Sequence, residues 1–141
     1  MCLPELYHCA QTNRIPVVRY PMPHCGSMSI QTESGCVIGM DESVCDRGKE
    51  ELTHLGHELG HCLTGSFYNV YSPFDPRRRH ENRADKWAVR TLIPAQALDE
   101  AVAEGVCSLW ELAEHFSVTE EFMRKAVCLH VHGNLATELY F

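Results

Sequence analysis

Three histidines fall within eight positions of the stretch THLGHELGHCLTG, residues 53–65: His54, His57 and His61. His57 and His61 bracket Glu58 in the order H-E-x-x-H. On a helix, residues i and i+4 share a face about one turn apart. Two imidazoles so placed can converge on one tetrahedral metal ion, the arrangement zinc favours. Glu58 is turned about 100° from His57 around the helix. It is poorly placed to share the ion as a ligand, but it can reach a water there, which is where a general base must sit.

A catalytic zinc site also needs a third protein ligand and an open position. The stretch RRRHENRADKWAVRTLI, residues 77–93, carries Glu81 and, one turn later, Asp85. Glu81 is the expected third ligand. Asp85 is the expected acceptor for the outer N–H of a ligand imidazole, which fixes that ring's tautomer. His80 and Asp85 are rival third ligands. A site built on His54 with His57 or His61 is conceivable but leaves Glu58 without a role. Manganese or iron can occupy the same donors, since selectivity rests on geometry and availability.

The chemistry expected of such a site is hydrolysis of a polarised carbonyl. Bound metal lowers the pKa of water toward ~7, and Glu58 carries the proton to the leaving amine. Such a reaction needs donors for the oxyanion, and Tyr68, Tyr71 and Arg77 are the candidates for oxyanion or substrate contacts. The three arginines Arg77, Arg78 and Arg79 otherwise read as a solvated helix start.

Elements to position these groups can be read along the chain. LPELYHCAQTN has helical apolar spacing at Leu3, Leu6, Tyr7 and Ala10, and IPVVRY reads as a short strand. SMSIQT and CVIGM, separated by Glu33–Gly35, read as a hairpin. Leu52, Leu55, Leu59 and Leu63 give the metal helix, about residues 49–63, one buried face, and Gly65 stops it. SFYNVYSPFDP reads as a long ordered loop, followed by the second metal helix, which Pro94 closes. PAQALDEAVAEG, SLWELAEHF and TEEFMRKAVCLHV read as further helices. The last pair resembles a helix-turn-helix, but its second helix opens on Thr119-Glu120-Glu121, which would face phosphates; a packing scaffold is the better reading. The outline is α+β: one domain over residues 1–141, with a helix and small sheet to about 47, metal-site helices over 48–93, C-terminal helices over 94–132 and a tail from 133.

Composition bounds the classes. At 45% hydrophobic and 22% charged the chain reads as a soluble globular protein, and its net charge of −7 argues against direct nucleic-acid binding. No apolar run approaches the roughly 18 residues needed to span a bilayer. With no basic-then-apolar start, a cytoplasmic location is expected. The eight cysteines form no C-x-x-C pair, so the expectation is reduced thiols used as small buried hydrophobes, Cys62 among them.

Taken together, GHELGHCLTGSFYN, ENRADKWAVRTLIP and ELAEHFSVTEEFMRKAV resemble the ImmA/IrrE family of metallo-endopeptidases, especially its small phage- and mobile-element-borne members. The resemblance covers nearly the whole chain; its first two blocks are specific together, and the third alone is weak. It implies a zincin-like domain with zinc on His57, His61 and Glu81 and with Glu58 as base. It further implies cleavage of a protein partner, a helix-turn-helix transcriptional repressor. Gly56 stands where many relatives have alanine. Two alternatives belong to other classes: a metal-containing regulatory module that binds a partner without cutting it, and a small DNA-binding regulator.

Overall fold

The computed structural model describes residues 1–67 and 74–138. Helix α1 (Leu3–Thr12) is followed by the strands β1 (Val17–Arg19), β2 (Ser27–Thr32) and β3 (Gly35–Met40). β3 lies in the middle, parallel to β1 and antiparallel to β2, so β2 is an edge. The hairpin turn closes at Gly35, whose φ of 117° suits a residue without Cβ. Strand alternation then sorts the sheet into two faces. Cys36, Ile38 and Met40 point toward the helices, with Ile38 and Met40 buried, whereas Met28 and Ile30 stand exposed on the outer face.

The helices α2 (Gly48–Thr64), α3 (Phe74–Leu92), α4 (Ala95–Ala103), α5 (Leu109–Phe116) and α6 (Glu120–His132) follow, with a 3-10 turn at Ala136–Glu138. The fold is therefore α+β, a small sheet followed by a helical bundle. Leu52, Leu55 and Leu59 of α2 are buried against the sheet's inner face and the rest of the core; Leu63, at the helix end, is only partly buried. Gly65 ends α2 in the left-handed conformation. Tyr7 Oη donates to Glu51 Oε1 at 3.0 Å and ties α1 to α2. α5 and α6 are capped by the hydroxyls of Ser108 and Thr119, and Leu112, Val118, Phe122 and Met123 of this segment are buried in the core.

Two expectations need correction. The second metal helix begins at Phe74 rather than near Arg77. Pro76 falls in its first turn, where backbone N–H groups have no intrahelical acceptor, so proline costs nothing there. The cysteines are not uniformly reduced and buried. Cys36 and Cys62 are joined in a disulfide between β3 and α2, and of the six free thiols Cys45 alone is buried while Cys2, Cys25 and Cys107 are exposed. The physical reason is register. An inward-facing strand position meets a helix position beside it, with Cα atoms 5.8 Å apart, inside the range a disulfide spans. Among the described residues no helix is long and apolar enough to cross a membrane.

Candidate metal centre

The site begins with the approach of two helices. A Cβ on Gly60 of α2 would lie 2.4 Å from the Ala84 carbonyl oxygen of α3, and a Cβ on Gly56 would lie 2.9 Å from Leu92 Cδ1. Glycine at these positions, one turn apart, lets α2 settle onto the small residues Ala84 and Ala88 of α3. His57 and His61 thus come opposite Glu81.

Glu81 Oε2 lies 2.8 Å from His57 Nε2, and Glu81 Oε1 lies 3.2 Å from His61 Nε2. The two Nε2 atoms are 3.2 Å apart. These three residues form a His/His/Glu group with one ligand atom each, all within 4.8 Å of one another. Neither His80 nor Asp85 joins that group among the described residues.

The outer ring nitrogens are engaged elsewhere. His57 Nδ1 lies 2.8 Å from Asp85 Oδ1, and His61 Nδ1 is bonded to the Ser66 carbonyl oxygen. Both outer partners can only accept, so each Nδ1 carries a proton and each Nε2 is left to bond inward, to a proton shared with Glu81 or, once that proton is displaced, to an ion. Asp85 is held in turn by Lys125 of α6, Nζ to Oδ2 at 3.1 Å. Burial disfavours charge on His57, but hydrogen bonds to Asp85 and Glu81 outweigh it and raise its pKa to about 10. Burial likewise pushes the Asp85 carboxyl up, and the His57 bond with the His57 and Lys125 charges more than reverses it. Two inward imidazole nitrogens, a carboxylate and fixed outer acceptors are the donor set a zinc-type ion requires.

Glu58, next to His57 on α2, lines the same cleft and is buried, 6% exposed. Its Oε2 accepts from the Ser27 hydroxyl at 2.7 Å, and Ser27 Oγ is 2.7 Å from His54 Nδ1. Burial lowers the His54 pKa, opposed by the Glu58 charge. His54 is thus linked through Ser27 to Glu58. Ser27, Lys125 and Ser66 went unnoticed in the sequence. Only strand register and helix packing bring them in, and no motif marks them. Arg77 lines the same cleft as His57, Glu58 and Glu81, whereas Tyr68 and Tyr71 lie outside the described residues.

An α+β domain with this donor set and an adjacent carboxylate defines a candidate metal-dependent hydrolase. Residues 43–127 match the family described as the IrrE N-terminal-like domain, Peptidase M78. The match spans more than half of the chain, and the chain belongs to this metallopeptidase family. No curated protein and no solved structure shows a significant match.

Proposed function

We propose that this chain is a zinc endopeptidase that cuts a protein substrate, with His57, His61 and Glu81 as ligands and Glu58 as general base. The observation that carries the reading is that Glu58 lines one cleft of about 970 Å³ together with His57, His61 and Glu81. When bound there, zinc supplies a Lewis acid and lowers the pKa of water toward ~7. Glu58 accepts the proton of the attacking water and returns it to the leaving amine. Asp85 and the Ser66 carbonyl hold the two imidazoles in their working tautomers.

Residues 27–31 of the edge strand β2 line the cleft. The edge of β2 away from β3 offers backbone donors and acceptors to an extended segment, the β-augmentation mode of peptide recognition. This favours an unfolded or loop segment of a protein as substrate over a small molecule. Arg77, also on the cleft wall, can supply a donor to the carbonyl under attack or to an acidic side chain.

The partner we propose is a helix-turn-helix repressor of a phage or mobile element, in line with the family resemblance, and the compartment is the cytoplasm. The test is co-expression with a candidate helix-turn-helix repressor, chosen from the genes neighbouring this one, followed by mass-spectrometric mapping of fragments. One cut absent with Glu58→Gln supports the reading; an intact repressor alongside zinc-loaded protein counts against it.

A further inference from the structure

Glu58 is not held by its own helix alone. We propose that Ser27 and His54 are positioning residues for Glu58, forming a hydrogen-bonded chain that fixes Oε2 and reserves Oε1 for work in the cleft. The inference rests on the reading of Glu58 as the base.

The direction of the chain follows from proton bookkeeping. An ionised Glu58 can only accept, so the single hydroxyl proton of Ser27 points to Glu58 Oε2, 2.7 Å away. Ser27 Oγ must then accept from His54 Nδ1, also at 2.7 Å. His54 is thereby committed to the Nδ1–H tautomer. Each member is donor to the next, and such aligned bonds polarise and strengthen one another. Ser27 and Glu58 are both buried, at 8% and 6% exposed. Among the described residues Glu58 Oε1 has no hydrogen-bond partner, so the two carboxylate oxygens are made inequivalent by the protein.

The backbone around Ser27 is built to deliver its hydroxyl. Gly26 has φ of 77°, and a Cβ there would meet His54 Cε1 and Val44 Cγ2 at 2.9 Å each. Glycine alone lets the chain descend onto the imidazole. The Gly26 N–H donates to Met22 O at 2.9 Å, and its carbonyl accepts from Asp41 N–H at 2.8 Å. The next residue, Ser27, then enters β2 opposite Met40 with its side chain turned inward to α2. On α2, His54 and Glu58 are one turn apart, so a single hydroxyl can bridge them.

A structural role would affect folding; a positioning role affects turnover with the metal and substrate still bound. Ser27→Ala, Ser27→Thr, His54→Asn and Glu58→Gln are prepared as full chains, loaded with zinc and assayed on a quenched-fluorescence peptide library. Ser27→Ala is expected to keep parental zinc content and a KM within about twofold while kcat falls ~10-fold or more, the scale of losing a hydrogen bond to a charged group. Ser27→Thr, which keeps the hydroxyl, and His54→Asn, which keeps a donor near Nδ1, are expected to retain most of the rate. Nitrogen NMR of the imidazoles gives a readout without turnover: His54 carries its proton on Nδ1 in the parent and loses that preference in Ser27→Ala. Parental kcat in Ser27→Ala while Glu58→Gln is inactive, or an unprotonated His54 Nδ1 in the parent, overturns the chain and leaves the peptidase reading standing. Parental turnover in Glu58→Gln overturns both.

Discussion

Gly60 of α2 lies so close to Ala84 of α3 that a Cβ would stand 2.4 Å from the Ala84 carbonyl oxygen. This contact sets the spacing of the two helices and therefore the distances among His57, His61 and Glu81. Gly60→Ala would gain ~1 kcal/mol of helix propensity, but the clash is with backbone, which cannot step aside, and overpacking costs roughly 1–3 kcal/mol. A net loss of stability and weaker zinc binding are expected. Gly56→Ala meets only the end of the Leu92 side chain, at 2.9 Å, and should be far milder. Thermal unfolding with and without zinc compares the two; equal effects would deny Gly60 its special role.

Asp85 joins His57 to Lys125. Asp85→Asn keeps an oxygen for the His57 N–H but removes the charge, and outer-partner losses typically weaken metal binding 10–100-fold. Competition with a zinc-sensitive dye should find Asp85→Asn weakened by ~10-fold or more and Lys125→Met less so. Unchanged affinity in Asp85→Asn would show that the imidazole is oriented without it.

Asp41 pins the segment that leads into Ser27. The Ser43 hydroxyl, then the Met22 and Ser43 N–H groups, lower its pKa below the usual 3.8. A depressed folded-state value contributes stability above the unfolded pKa of about 3.9, and that contribution is lost as pH falls through the folded value. The stability gap between parent and Asp41→Asn should therefore be constant above about pH 5 and shrink in stronger acid. Urea unfolding across a pH series measures it, and a gap that does not change with pH would contradict the assignment.

The Cys36–Cys62 bond closes a loop of sequence separation 26 between the sheet and the metal helix. Loop-closure entropy for that length is worth roughly 3.5 kcal/mol. Reductant should lower the melting temperature of the parent and leave the Cys36→Ser/Cys62→Ser variant unchanged. The same response in both would mean that this pair contributes nothing.

The sequence carried the metal helices well because their information is local. The spacing of His57 and His61, the phase of Glu58 and the one-turn step from Glu81 to Asp85 all follow from helical period alone. The hairpin was legible for the same reason: two β-branched runs flank a turn rich in turn-forming residues. The partners of Glu58 were not legible. Ser27 is 31 residues away in sequence and reaches it only through the register of β2 on β3. His54 looked like a third member of the histidine row, and only the placing of Ser27 gave it a different direction. Lys125, 40 residues from Asp85, and the Cys36–Cys62 pairing likewise depend on how helices and sheet pack, which residue type does not encode.

The central claim is that Glu58 works as a base beside a zinc ion on His57, His61 and Glu81. Zinc per chain and cleavage rate, measured together on the parent and Glu58→Gln, test it most directly. The expected result is one zinc per chain in both proteins, with cleavage reduced by at least ~100-fold in the variant. A variant that cuts at the parental rate, or a parent that cuts equally well after its metal is stripped, would contradict it.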